Sequence, residues 1–395
     1  MKRRCIANLK TIVLMVVSIC VGARIPVQAA PSPQSIKIGE IEFFGVGSGE
    51  AQRAKSKARS GKGKEKSGKG EERRGKSKRQ IHFTGEGLTR LRQQLPVKEG
   101  DEFRFDSGEA TFAQIKQVVR QTTGRDATDV NFVCCDDRGA AMIFIGLPGP
   151  AYRPFKYNPL LSSRDPSDNP QLPDEIVALV EKVAELAQEA AQKEAREDRS
   201  QGYALSHYPP LREAQLKIRE YALDHSGFVQ RVMYMSIDAR QRRAAVYALG
   251  YAMQTDAQLA SLVWASRDRS SEVRNDATRA LAVLAESDAR AARRIPSAHF
   301  VAMLSSGSWS DRNKAALLLS VLTARRNPTL LGSLRRNALG ALIEMARWRN
   351  AGHAYHARMI LGRMAGIEEM RLEKLANQGQ VDEILRQLRR PGSKQ

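Results

Sequence analysis

Apolar residues recur every three or four positions along much of the second half of the chain. In "DEIVALVEKVAELAQEAAQKEARED" they are Ile176, Val177, Val180, Val183 and Leu186, the stripe of an amphipathic helix with Asp174 as its N-cap. "PPLREAQLKIREYALDH" continues the pattern, with Pro210 in its first turn. The first half reads differently. "IKIGEIEFFGVGS" (36–48) is a strand ending in glycines, and "GLTRLRQQL" is a short helix. "PVKEGDEF" reads as a turn. "ATFAQIKQVVRQTTGR" is a second helix, with Phe112, Ile115, Val118 and Val119 on one side and Gly124 as its stop. "DVNFVCCDDRGAAMIFIGLPG" places two apolar runs around Asp137-Arg138-Gly139, which predicts a hairpin. The predicted order is β, α, α, β, β. A proline-rich linker over 151–173 separates this unit from the helices.

Within the helical part the sequence repeats. "RRAAVYAL" (from Arg242), "RNDATRAL" (from Arg274), "RNKAALLL" (from Arg312) and "RRNALGAL" (from Arg335) each place an arginine seven residues before a leucine. The steps are 32, 38 and 23 residues. Periods of this size in an all-helical stretch predict stacked helix pairs, each burying its neighbour's apolar face.

These quoted segments carry two resemblances. "IEFFGVG", "LPVKEGDEF" and the closing hairpin, in the order above, resemble a polypeptide-transport-associated (POTRA) domain over 30–150. Such a domain would imply a periplasmic setting and pairing of strand edges with a partner chain. "SSEVRNDATRALAVLA" resembles the second helix of a HEAT repeat, and 174–395 resembles a HEAT-repeat array. That likeness implies an acid just ahead of each arginine. Asp268 stands there before Arg274, but Ser236 and Ser306 occupy the flanking positions, so the implied acid–arginine ladder is incomplete.

Charge changes the picture less than its total implies. The formal net charge is +21, but five basic residues and no acid lie within 1–29, and 50–79 holds 13 Lys/Arg against 4 Asp/Glu. Only +7 remains elsewhere. The first segment, with Lys2, Arg3, Arg4, an apolar run from Ile12 and small residues up to Ala29, reads as a signal peptide over 1–29. The second is a Lys/Ser/Gly insert at 50–80 without aromatic or β-branched residues, so it predicts disorder. It is either a solvated loop insertion or a tether to an anionic polymer or membrane surface. With no aromatic side chain to stack on bases, it gives no support for specific nucleic-acid recognition.

Candidate chemistry is sparse. Cys134 and Cys135 are adjacent, and neighbouring Cα atoms about 3.8 Å apart across a trans peptide are too close for an ordinary disulfide. One buried thiol and one facing the other side is the expectation, with an intermolecular disulfide, or metal or redox work, as alternatives. His353 and His356 share a helix face at ligand spacing but have no obvious third partner. Arg242, Arg274, Arg312 and Arg335 are the candidate interaction residues, read either as a basic stripe for an acidic partner or as hydrogen bonds between stacked repeats. Trp264, Trp309 and Trp348 are near-periodic and read as packing.

The sequence thus predicts an α-rich multidomain chain, a small α+β POTRA-like domain followed by a HEAT-like α-solenoid. The expected function is a non-enzymatic protein-binding scaffold, exported to the periplasm or cell envelope, with no cofactor. An envelope-associated polyanion binder held by the insert is the alternative.

Overall fold

The computed structural model describes residues 35–47, 85–136, 138–159 and 169–389. The predicted signal peptide and basic insert lie outside the described residues. Sixteen α-helices and a small four-stranded sheet make the described chain α-rich. No helix among the described residues is long and apolar enough to cross a membrane.

The sheet unit runs β1 (Ser35–Phe44), α1 (Gly85–Gln94), β2 (Glu102–Arg104), α2 (Gly108–Thr123), β3 (Asp129–Val133) and β4 (Ala141–Gly146). Strand order is β2-β1-β4-β3, with β1 parallel to β4 and the other pairs antiparallel. The segment read as a turn supplies the edge strand β2. Gly100, at φ +97°, donates to the Ile38 carbonyl, and this bend brings Glu102–Arg104 alongside Ser35–Lys37.

Strand β4, "AMIFIG", is buried along its whole length. Ala141, Ile143 and Ile145 join a core with Leu91 of α1, Leu95 just beyond it, and Ile115 and Val119 of α2. Met142 and Phe144 point the other way, into a second core shared with the helical region. There the Phe144 ring lies 4.9 Å from Trp309 and 5.2 Å from Trp348. A strand covered on both faces is apolar at every position.

After α3 (Asp174–Gln192) come the two-residue strands β5 (Glu197–Asp198) and β6 (Leu205–Ser206), paired as a hairpin. Asp174 is the first helical residue of α3 and Pro173 the cap, because proline suits a helix threshold where no N–H is needed. Then follow α4 (Pro209–Asp224), α5 (Ser226–Met235), α6 (Ala239–Leu249), α7 (Asp256–Ala265), α8 (Ser271–Ser287), α9 (Ala289–Arg294), α10 (Ser297–Met303) and α11 (Trp309–Leu322). The chain closes with α12 (Pro328–Asn337), α13 (Leu339–Ala346), α14 (Ala351–Met364), α15 (Glu369–Asn377) and α16 (Val381–Leu388).

Helices α6, α8, α11 and α14 pack in a row, each against the next. Their caps are Asp238, Ser270, Ser308 and Asn350, so the steps are 32, 38 and 42 residues. Eleven residues past each cap stands a fully buried leucine: Leu249, Leu281, Leu319 and Leu361. The fourth sequence motif is therefore out of place. Arg335–Leu342 crosses the break between α12 and α13 at Ala338, and the residue equivalent to Arg312 in α14 is Ala354.

The described part of the proline-rich segment lies along the helices. Arg153 N–H donates to Ser305 O and Asn158 N–H to Arg267 O, both at 2.8 Å, while Asn158 Nδ2 reaches Trp264 O. It ties the sheet unit to the helical row.

Candidate functional site

Three of the four predicted arginines are buried at one repeated position, four residues past the helix caps. Each turns back to the carbonyl six residues earlier: Arg242 to Ser236, Arg274 to Asp268 and Arg312 to Ser306. Each also crosses to a carboxylate of the following layer. Arg242 makes a two-armed pair with Asp268 at 2.8 and 2.9 Å. Arg274 does the same to Asp311 at 2.8 and 3.0 Å, and Arg312 reaches Glu344 at 3.0 Å. Two N–H bonds in parallel match the planar guanidinium to a carboxylate. Arg335 stands apart, half-buried, donating to Met364 O. Sequence reasoning missed Asp311 and Glu344, which come from the first turn of α11 and from α13 rather than from one repeat position. Ser236 and Ser306 do not supply the acid; their hydroxyls accept the N–H of Asp238 and Ser308 and shape the turn into each helix.

The Arg312–Glu344 pair also fastens the sheet unit. Gly45 and Gly47 N–H groups donate to the two Glu344 oxygens at 2.8 and 2.6 Å, and Arg312 donates to Ala151 O. Both glycines have left-handed φ, +86° and +72°. A side chain at Gly45 would also collide with the Leu147 carbonyl, 2.1 Å from an added Cβ. Burial pushes the Glu344 carboxyl up and the Arg312 guanidinium down, so at this pair desolvation outweighs mutual attraction.

A few ångströms along the same seam, Asp129 of β3 accepts the Trp309 N–H at 2.9 Å, and the Thr128 hydroxyl donates to Gly307 O at 2.9 Å. Asp129 thus caps α11 from another part of the chain. Its carboxyl is pushed up to about 6, chiefly by burial, with the nearby Asp311 charge adding to the rise.

A cleft of about 730 Å³ opens beside Asp129, between the sheet unit and the helices. Tyr152, Phe155, Tyr157, Arg269, Arg274 and Ser308 are among its walls. The Arg274 guanidinium sits 4.8 Å from the Tyr157 ring centre and 5.7 Å from that of Phe155. Tyr157 is 48 % exposed, and Arg269 is exposed. Behind Phe155, His299 accepts from Arg267 Nε at 3.1 Å and faces the Ser266 hydroxyl at 3.0 Å. Burial, helped by Arg267, pushes its imidazole down to about 4, so it is neutral. Exposed aromatic rings beside guanidinium groups offer apolar area together with hydrogen-bond donors in a partly open cleft.

The other sequence candidates fall elsewhere. Cys134 and Cys135 are bonded to each other across a cis peptide, which brings their Cα atoms to 3.1 Å. The expectation against such a bond assumed a trans peptide. His353 and His356 part company: His353 packs against Trp309 and Phe144, whereas His356 Nδ1 meets the Ser320 hydroxyl at 2.9 Å. No group of three or more His, Cys, Asp or Glu able to hold a metal occurs among the described residues. Trp309 and Trp348 are core residues, and Trp264 stacks near Tyr234.

No protein-family description and no curated protein matches this chain. Among solved structures it is similar to the crystal structure of an engineered protein, at 17% identity and TM-score 0.35, over 54% of this chain and 97% of the other. A likeness of that size carries no argument.

Proposed function

We propose that this chain is a non-enzymatic protein-binding scaffold of the periplasm or cell envelope, built as a POTRA-like unit fixed to the flank of a HEAT-like α-solenoid. The order of strands and helices in the first unit supports the one assignment. The single row α6, α8, α11 and α14, with an arginine repeated at one position in its first three helices, supports the other. The observation that carries the functional reading is the seam cleft, where exposed Tyr157 and Arg269 and half-buried Phe155 surround a buried Arg274. Tyrosine and arginine in a partly enclosed site are the side chains that concentrate binding energy at protein interfaces. Of the four predicted interaction arginines, Arg274 borders this cleft, holding Tyr157 from behind. β3 starts at the same place, and pairing along its outer edge is part of the proposal.

The test is capture of the mature protein from fractionated cells, washed at low and then high salt, beside the doubly substituted Tyr157→Ala, Arg269→Glu protein. A discrete protein retained at high salt and lost with the double substitution supports the scaffold. Bound material that leaves with salt, and is lost when 50–79 is deleted, transfers the reading to polyanion tethering through the basic insert.

A further inference from the structure

The residues just ahead of the caps of α6, α8, α11 and α14 are Ile237, Arg269, Gly307 and Arg349. They mark one edge of the helical row, and the sheet unit covers that edge at the last two layers. It brings acids there. At α11 the Asp129 carboxylate accepts the Trp309 N–H, in place of the Ser308 side chain, which makes no cap bond. At α14 the Arg349 guanidinium is met by Glu42 at 2.8 Å and by the two oxygens of Glu99 at 3.0 and 2.6 Å. Gly307 leaves room for this cover. A Cβ added there would stand 2.9 Å from Thr128 and 3.0 Å from the Tyr152 ring.

At α8 the same two features have no such cover. The Ser270 side chain makes no cap bond, whereas Asp238 and Asn350 cap α6 and α14 themselves. Arg269, the counterpart of Arg349, is exposed, and among the described residues its guanidinium makes no hydrogen bond and no ion pair. Arg269 and Ser271 are walls of the seam cleft of about 730 Å³, and the sheet unit adds Arg125, whose side chain is likewise unpaired among the described residues. Open to water, neither guanidinium needs a counter-ion in the free protein, and both are available to one that a ligand brings. The acids of the cleft are already engaged, Asp126 with Arg120 at 3.3 Å and Asp129 with the Trp309 N–H. Tyr157, 48 % exposed, lies 4.8 Å from the Arg274 guanidinium, which Asp311 holds in turn, so its ring is a fixed apolar platform on the same cleft.

We infer that the seam cleft takes an extended acidic segment of a protein partner, with an Asp or Glu side chain on Arg269 and an apolar side chain against Tyr157. The inference rests on the scaffold reading and adds the chemistry of the partner to it. The sheet unit is the template: its carboxylates cover Arg349 and the head of α11, and the partner's segment continues that cover one layer along the row. Carboxylates are what the chain itself places at both covered layers. At Arg269 a carboxylate meets a planar guanidinium, and the first turn of α8 adds its favourable dipole.

The test is selection of a random peptide library, displayed on phage, against the full chain and in parallel against Arg269→Glu. Both proteins carry the basic insert, so peptides that bind the insert are common to the two and drop out of the comparison. The expected result is that wild type enriches peptides with Asp or Glu beside an apolar residue and that Arg269→Glu does not. A selected peptide, labelled and titrated by fluorescence anisotropy, should bind about tenfold or more weakly to Arg269→Glu and to Tyr157→Ala, and also after its acid is replaced by the amide. Both side chains are exposed, so the two variants should keep the wild-type melting temperature. The same acidic peptides selected by wild type and by Arg269→Glu would overturn the inference, as would a selection that enriches none. Peptides without acids whose binding is lost in Tyr157→Ala would overturn the acidic partner while leaving the cleft as a protein site. The scaffold reading itself fails separately, when no protein is retained at high salt in the capture experiment.

Discussion

Helices α6, α8, α11 and α14 carry two rows of charge, two residues apart, and the rows are finished differently. In the first row, Arg242, Arg274 and Arg312 are each met by a carboxylate and by backbone carbonyls. In the second, Lys314 sits between Asp276, which belongs to Arg243, and His356, which is neutral. Both rows are nearly closed to water. Burial by itself therefore says little about how a charge is held: each first-row guanidinium bonds directly to a carboxylate, whereas the Lys314 ammonium makes no direct ion pair and is balanced only through the field of nearby carboxylates such as Asp276 and Glu197.

Substitutions that empty one row and then the other sharpen this contrast. The largest effect belongs to Arg274→Met, which leaves Asp311 buried at 0% exposure with an unpaired charge. It should destabilise by about 3–5 kcal/mol in denaturant titration. Acidification comes next. His299, His353 and His356 stay neutral in the fold, at about 4, 3 and 3, while their unfolded counterparts charge near the usual imidazole value of about 6.5. The unfolded chain then binds more protons, so stability falls as pH drops from about 6.5 toward 4. The loss should be on the order of 3 kcal/mol per histidine, seen as a falling melting temperature. Asp129, raised to about 6, works in the opposite direction over roughly the same window, and Asp129→Asn should steepen the acid loss. Arg242→Met should cost less than Arg274→Met, about 2 kcal/mol. Its partner Asp268 is 11% exposed and also accepts the Ser270 N–H. The smallest effect is alkaline. Burial lowers the folded Lys314 amine to about 8, so between there and the usual lysine value of 10.5 the unfolded chain keeps a proton the folded one has shed, and wild type should gain stability relative to Lys314→Met as pH rises.

The helical layering was legible because Arg242, Arg274 and Arg312 recur with Leu249, Leu281 and Leu319. The fourth layer was not, since Ala354 replaces the arginine, and the eye settles on Arg335 instead. Leu361, in step with the other three leucines, was the better guide. The acids of the ladder could not be read from spacing, because a loop, a first turn and a separate helix supply them. In the first unit, the unbroken "AMIFIG" was the one sign that the sheet has a second cover, since a strand open to water on one side would alternate. Lys314 was visible only by laying the repeats over one another, where it falls opposite Asp276 and Ala244 at a position that the fold buries.

The central claim, that direct ion pairs hold the arginine row while Lys314 makes none, is tested most directly by thermal unfolding of Arg274→Met and Lys314→Met side by side at pH 7. The account predicts that the two differ. Arg274→Met should lose about 10 °C or more, while Lys314→Met should melt near the wild-type temperature because it breaks no direct ion pair. A fall in Lys314→Met as large as that in Arg274→Met would contradict the account, by showing that the ammonium already has its partner within the folded chain.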